Sequence, residues 1–456
     1  MNRRDFLKIS AASAAGLFLS GLGGAFDPDP ALAAAPALTT KPNIVLILAD
    51  DLGYAGLSCQ GGDIPTPNID TLARDGVRAT AGYVTCSLCA PTRAGLLTGR
   101  YQQRFGFEFN PGPQEEDTFG LPLDQRTIAE YLKAAGYTTG MFGKWHLGYQ
   151  AGQRPPERGF DAFYGFLGGA HAYYPEKRRK GSQVKNPVMR GLSEEVTFDY
   201  LTRALASEAA AFIDRYKTRP FFLYLPLNAV HNPLQAPPET LERFKSIADE
   251  TRRTHAAMLT ELDDAVGVVL ERLRRHGLQN NTLVVFLSDN GGPTQSTTAS
   301  NAPFSGQKAT FYEGGIRVPF LLRWPGHVPA GKVYGQPLSS LDLLPTILAA
   351  AGVTPPASAG LDGVDLLPYL SDQRSGAPHS DLFWRMGDAW AVQSSGWKLV
   401  RAERKGGAAQ LFNLAVDPGE QTDLYKKQPR KARELHTKYN AWSDQMMDPL
   451  RQRQKP

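Results

Sequence analysis

Four short runs in this chain are almost wholly apolar, and each one stops at residues that carry chemistry. NIVLILA (43–49), TTGMF (138–142), FFLYL (221–225) and TLVVFL (282–287) lack the alternation of a half-exposed strand and the length of a helix. They read as parallel strands covered on both faces. Helical patterns precede strands of this set, as in TIAEYLKAAG (127–136) and HAAMLTELDDAVGVVLERLRRHG (255–277), and these two end at Gly. The order predicts an α/β fold: a large, mostly parallel sheet flanked by helices. Asp50 and Asp51 follow the first run, Lys144 and His146 the second, His231 the third, and Asp289 and Asn290 the fourth. Because open parallel sheets bind ligands beyond the carboxyl ends of their strands, one edge receives carboxylates, an amide, two histidines and a lysine together.

The 456 residues, 42% of them hydrophobic, suffice for one large core and a second small one. Fifty Lys and Arg against 45 Asp and Glu leave a net charge of +5, too dilute to point to nucleic acid. Residues 1–35 read as an export signal: Arg3 and Arg4 are followed by Phe6, Leu7 and Lys8, an apolar stretch from Ile9 to Leu22, and an AxA cleavage site ending at Ala33. The paired arginines favour the twin-arginine machinery over an ordinary secretory signal, and the stretch is too short for a membrane span. The mature protein is therefore expected in the periplasm or outside the cell. A catalytic domain is expected over 40–370, then a polar linker SDQRSGAPHSD (371–381), then a small antiparallel sheet plus one helix over 382–450. KRRK (177–180) reads as a solvated loop.

Asp50, Asp51, Asp289 and Asn290 offer hard oxygen ligands, which suit Ca²⁺ or Mg²⁺ rather than zinc or copper. Three carboxylates gathered at one edge are costly without a cation. An acidic pair can also cap a helix, but in SDNGG (288–292) the glycines permit close backbone approach, which favours a site. Arg93, Lys144, Lys308, His146 and His231 supply positive charge and donors for a tetrahedral oxyanion, sulfate or phosphate. Lys308 lies in GQKATFYEGGIRVP (306–319), where Gly314 and Gly315 suggest a tight turn held by a Glu313–Arg317 pair. The reaction class expected is metal-assisted hydrolysis of a sulfate or phosphate ester. The cysteines, Cys59, Cys86 and Cys89, are too few for a disulfide scaffold and have no zinc spacing.

CAPTRAGLLTGR (89–100) resembles the signature of the formylglycine-dependent sulfatases, whose core is CxPSR or CxPTR followed by xxxLTGR. PNIVLILADDLGY, PTPNIDTLARDGVR, GKWHLG, GFDAFYGF, LSDNGG, GQKATFYEGGIRVP, LDLLPTIL and NLAVDPGE are similar to segments of the same family, in the same order. The resemblance implies an alkaline phosphatase-like fold and conversion of Cys89 by a separate maturation enzyme to Cα-formylglycine, whose hydrated aldehyde is the nucleophile. It further implies a metal held by Asp50, Asp51, Asp289, Asn290 and residue 89. Arg93 and Lys144 would hold that residue's oxygens, His146 would act as base in the final elimination, and His231 and Lys308 would bind the ester and assist the departing alcohol. One hydroxyl of a geminal diol can bond sulfur while the other later expels sulfate, which a plain Ser or Cys cannot do.

Thr92 replaces the commoner serine and keeps its hydroxyl. Cys86 makes a CxxC with Cys89, yet a redox pair gives no reason for the PTRAGLLTGR that follows. Cys86 is therefore read as a packed bystander, replaceable by Ser or Ala. Residues 99–113, 168–175 and 382–392 are similar to segments of bacterial sulfatases related to N-acetylgalactosamine-6-sulfatase. Their aromatics and His171 could line a sugar pocket, although most such aromatics belong to cores. A sulfated saccharide is preferred to a small aryl sulfate as substrate. The competing readings are a phosphonate or phosphate monoester hydrolase with the same nucleophile, and a non-catalytic binder of sulfated glycan with an unmodified Cys89.

Overall fold

The four apolar runs do become the centre of a sheet. The computed structural model describes residues 41–112, 118–175, 186–402 and 407–451, so the expected export signal and the KRRK stretch lie outside the described residues. The strands, in chain order, are β1 (Asn43–Ala49), β2 (Val77–Ala79), β3 (Gly82–Tyr83), β4 (Thr138–Lys144), β5 (Ala162–Phe166), β6 (Met189–Arg190), β7 (Glu194–Glu195), β8 (Phe221–Pro226), β9 (Thr282–Ser288), β10 (Phe320–Arg323), β11 (Lys332–Tyr334) and β12 (Leu338–Ser339). Ten of them form one sheet in the order β11-β2-β10-β9-β1-β8-β4-β5-β6-β7, and β3 pairs with β12 apart from it. The central five, β9-β1-β8-β4-β5, are mutually parallel, while β10 and β6 run antiparallel to their neighbours at the two margins.

Both faces of the central strands are covered, which is why their sequences do not alternate. Along β1, Ile44, Leu46 and Leu48 enter one hydrophobic core, and Val45, Ile47 and Ala49 enter the other. The helices that matter here are α1 (Pro67–Arg74), α2 (Cys89–Thr98), α3 (Ile128–Ala134), α4 (Leu201–Tyr216), α5 (Pro238–Glu242) and α6 (Glu250–Arg275). α2 and α3 bury Leu96, Leu97, Ile128 and Leu132 on the first face; α4 and α6 bury Leu205, Ala209, Val266 and Val269 on the second. α3 starts at a capping box in which the Thr127 hydroxyl accepts from Glu130 N–H and the Glu130 carboxylate accepts from Thr127 N–H. α6 begins at 250 rather than 255, because Asp249 caps it by accepting from Arg252 N–H.

β4 runs two residues past the expected TTGMF, so Lys144 is the last residue of the strand rather than part of the loop after it. The C-terminal region folds as an antiparallel sheet, β13 (Asp381–Met386), β14 (Ala389–Ser394), β15 (Trp397–Arg401) and β16 (Gln410–Asn413), paired in that order, and a helix over Pro429–Ser443 closes it. That helix stacks Tyr439 on Trp390 and Trp442 on Phe383. From the same sheet, Leu382, Trp384, Met386, Ala391 and Val400 enter the first core of the large sheet. Among the described residues no helix is long and apolar enough to cross a membrane.

Candidate active site

The carboxyl end of β1 is stitched to its neighbours before it delivers any side chain. Asp50 N–H donates to Ala229 O, Val230 N–H donates to Asp50 O, and Asp289 N–H donates to Ala49 O. The tails of β1, β8 and β9 thus stay adjacent, and Asp50, Asp51, His231, Asp289 and Asn290 converge. Asp51 N–H donates to Asp289 Oδ1 at 3.2 Å, and Asn290 Nδ2 donates to Asp51 Oδ1 at 2.7 Å. The glycines of SDNGG act as expected: Gly291 N–H donates to Gly315 O, and a Cβ at 291 would stand 1.8 Å from Gly314 O. This approach brings the loop carrying Lys308 against the end of β9. Arg317 pairs with Glu313 at 3.1 Å within that loop, as its sequence suggests.

Cations face the carboxylates one for one. Lys144 Nζ lies 2.6 Å from Asp50 Oδ2, Arg93 donates through Nε and Nη2 to Asp289 Oδ2, and Lys308 Nζ lies 2.7 Å from Asp51 Oδ1. The third Arg93 bond goes to Lys144 O, tying α2 to the end of β4. Cys89 opens α2, with Sγ 3.7 Å from Asp50 Oδ1. His231 Nε2 stands 3.6 Å from Asp51 Oδ2 and fixes its ring by a 2.6 Å contact from Nδ1 to Asn232 O. The floor of the cage, Asp50, Arg93, Lys144 and Asp289, is fully buried, whereas the side chains of Lys308 and His231 are 18% and 20% exposed. The mouth is therefore formed by a lysine and a histidine.

The electrostatics follow from that enclosure. Burial pushes the Asp50 carboxyl up, but Lys144, with His231 and Arg93, outweighs it and holds the group below the ordinary carboxylate range. Burial drives the Cys89 thiol up to about 12 despite Lys144 and Lys308, so as a cysteine it remains an inert thiol. Burial, then the charges of Lys144, Arg93 and Lys308, hold His146 well below the usual histidine value, leaving a neutral imidazole. Asp51, His146 and Ala309 all adopt left-handed backbone at φ 63°, 62° and 69°, an unfavourable conformation for residues with a Cβ that clusters at functional sites.

The buried atoms without a protein partner include two on the predicted site residues, Asn290 Oδ1 and His146 Nδ1. An orphaned amide oxygen beside three buried carboxylates is the donor chemistry of a hard cation, so the residues fit a Ca²⁺ or Mg²⁺ ion. Ligand atoms of Asp50, Asp51, Cys89 and His231 lie within 4.8 Å of one another, which makes this a candidate metal site. His171 stands apart from the cage, ringed by Phe166 and Phe198 with Nδ1 2.6 Å from Ala172 O. Asn110, which no sequence pattern singles out, reaches the start of α2 and accepts from Ala90 N–H at 3.1 Å. No cysteine pairing occurs: Cys86 is buried with Sγ 3.9 Å from Met386 Sδ.

Comparison with known proteins places this geometry in a lineage. Residues 306–445 match the family model described as N-sulphoglucosamine sulphohydrolase, C-terminal, and residues 1–20 match the twin-arginine translocation signal, which marks the chain for export. The chain is 33% identical to human N-acetylgalactosamine-6-sulfatase over 89% of its length and 83% of that protein. It is 39% identical to human arylsulfatase A over 78% of its length and 72% of that protein. The solved structure of Ps i-CgsB in complex with k-i-k-neocarrahexaose superposes with a TM-score of 0.84 at 37% identity, covering 90% of this chain and 94% of that one. With the sulfatase family model matching residues 42–353, the chain belongs to the sulfatases, enzymes that hydrolyse sulfate esters.

Proposed function

We propose that this protein is an exported, formylglycine-dependent sulfatase that removes sulfate from a sulfated saccharide. The observation that carries the reading is the position of Cys89: first residue of a buried helix, 3.7 Å from Asp50, inside a cage of paired carboxylates and cations that includes Lys144 and Lys308. A maturation enzyme would convert Cys89 to Cα-formylglycine, whose hydrate attacks sulfur with one hydroxyl and releases sulfate through the other. Asp50, Asp51, Asp289, Asn290 and residue 89 would hold Ca²⁺, or Mg²⁺, which when bound supplies positive charge to the sulfate oxygens. Lys308 and His231, the two partly exposed members, meet the ester first and serve the departing alcohol oxygen as donors. Arg93 and Lys144 lie on the floor and hold the oxygens of residue 89. Neutral His146, with one ring nitrogen uncommitted, takes the proton of the hydroxyl that remains.

The preference for a saccharide draws on the neocarrahexaose complex and on the N-acetylgalactosamine-6-sulfatase relatives. Export through the twin-arginine route to the periplasm, or beyond it, fits a polymer or oligosaccharide met outside the cytoplasm. The test combines a chemical readout with turnover. Peptide 86–100 from active protein is expected to carry an aldehyde at 89, detected by mass and by hydrazide capture, and Cys89→Ala is expected to abolish sulfate release. An unmodified Cys89 in active enzyme overturns the nucleophile. Faster turnover of aryl phosphate than of any sulfate favours the phosphate or phosphonate hydrolase, and saccharide affinity without turnover by modified protein favours a binder.

A further inference from the structure

We propose that the C-terminal antiparallel sheet positions residue 89 for reaction, through Arg385, Glu108 and Asn110. The first turn of a helix leaves its N–H groups without intrahelical acceptors. Leu88, at the N-cap of α2, has no side-chain oxygen to offer, and the N–H of Ala90 is taken instead by Asn110 Oδ1 from 20 residues away. The cap therefore depends on where the loop carrying Asn110 is held. Two residues earlier, the fully buried Glu108 accepts from Arg385 Nε at 2.9 Å and Nη2 at 2.6 Å, and from Gly387 N–H at 2.9 Å. Arg385 also donates to Ser443 Oγ at the end of the closing helix and to Met447 O beyond it, so its guanidinium joins the sheet, that helix and the loop.

A second set of bonds from β13 reaches the segment that leads into residue 89. Trp384 Nε1 donates to Val84 O at 2.7 Å, and Met386 Sδ meets Cys86 Sγ. Gln103 Nε2 donates to Arg385 O, closing the loop between them. Residues 84–90 are thus fixed at their start by Trp384 and at their end by Asn110, both referred to the same strand. None of Arg385, Glu108 or Asn110 bonds to a member of the cage. Their effect is on orientation, and a displacement of about 1 Å at a reacting group costs on the order of 100-fold in rate. Contacts to the sulfate and leaving group come from Lys308 and His231 on other segments, so binding is spared.

This inference rests on residue 89 as the nucleophile, and its test separates the two. Full-length variants are co-expressed with the maturation enzyme, rates on whichever aryl or saccharide sulfate the wild type cleaves are divided by the measured aldehyde content at 89, and kcat and KM are resolved. Asn110→Ala is expected to lower kcat by about 10- to 100-fold with KM within about threefold. Asn110→Asp keeps the acceptor and is expected to restore most of kcat; Arg385→Ala shifts kcat in the same direction as Asn110→Ala. Amide exchange of the peptide spanning Ala90 is expected to quicken in Asn110→Ala. Unchanged kcat per aldehyde, or no rescue by Asp, overturns the positioning role while leaving the nucleophile intact. Wild-type turnover without an aldehyde, retained by Cys89→Ala, overturns the nucleophile itself.

Discussion

Cys86 and Cys89 sit three residues apart with different proposed roles, and the difference is one of surroundings. The Cys86 side chain lies in the core against Met386, and its carbonyl accepts from the Thr92 hydroxyl at 2.8 Å. Cys86→Ala removes one sulfur from that packing and is expected to cost about 1 kcal/mol of stability with turnover retained, read by denaturant unfolding beside kinetics. Cys86→Ser is expected to cost more, since it buries a hydroxyl, again without loss of turnover. His255 gives a prediction remote from chemistry. Its ring is buried on α6 with neither nitrogen bonded, and burial, then Arg252, holds it down to about 4 against the opposing charge of Asp63. Between an unfolded value of about 6.5 and that value, the unfolded chain binds a proton that the native protein refuses. Stability is then fully present above about 6.5 and falls by about 3 kcal/mol as pH drops to about 4, below which this contribution is flat. Urea midpoints measured across that window are expected to lose most of this slope in His255→Phe.

At the scale of elements, the ends of β1 and β9 were readable because an apolar run stops at Asp50 and at Ser288, whereas β8 is followed by Pro226 and Leu227 before His231 is reached. The end of β4 lies two residues beyond the apolar run TTGMF, because Gly143 and Lys144 are not apolar. β4 passes through Gly143: a Cβ at 143 would stand 2.0 Å from Pro226 O, so glycine is there for the close approach of β8. Gly143→Ala is expected to shift Lys144 off Asp50 and lower the thermal midpoint, seen by calorimetry and by loss of turnover. What no local pattern reveals is the set of pairs closed across the chain. Lys398 Nζ, fully buried on β15, lies 2.8 Å from Glu313 Oε1 and 2.9 Å from Glu420 Oε1, while Tyr83 OH donates to Glu313 Oε2. Lys398→Ala leaves two carboxylates buried with their main cation removed, and a loss of about 3–5 kcal/mol is expected in chemical denaturation. The sequence suggested the Glu313–Arg317 pair as the hold on a tight turn at Gly314 and Gly315, but a closer partner of Glu313 came from 85 residues away.

Across the whole molecule, the carboxyl edge of the main sheet is one of the places where buried charge is gathered, another being the Lys398–Glu313–Glu420 cluster. At that edge three buried carboxylates face three cations, and the amide oxygen of Asn290 is left over. An ion that binds this arrangement and not the unfolded chain stabilises by mass action. Chelation of the purified enzyme is expected to lower both its thermal midpoint and its turnover, and titration back with Ca²⁺ or Mg²⁺ to restore them, the tighter ion at lower concentration. An unchanged midpoint after verified removal of bound metal would speak against the site. The candidate residues were legible because each follows a strand or belongs to a specific run such as CAPTRAGLLTGR. Their mutual distances were not, because these depend on strand order β9-β1-β8-β4, which periodicity alone does not give.

The depth of residue 89 also sets a timetable for making the enzyme. Every residue of α2 is buried, Cys89 is 2% exposed, and its neighbours on the chain are clamped from both sides. Under the proposed conversion, a second enzyme could not thread a catalytic pocket around such a residue in the finished protein, so oxidation of Cys89 would have to come while the chain is still open. Unmodified protein that has already folded is expected to stay unmodified when the maturation enzyme is added, and to accept the aldehyde only after unfolding.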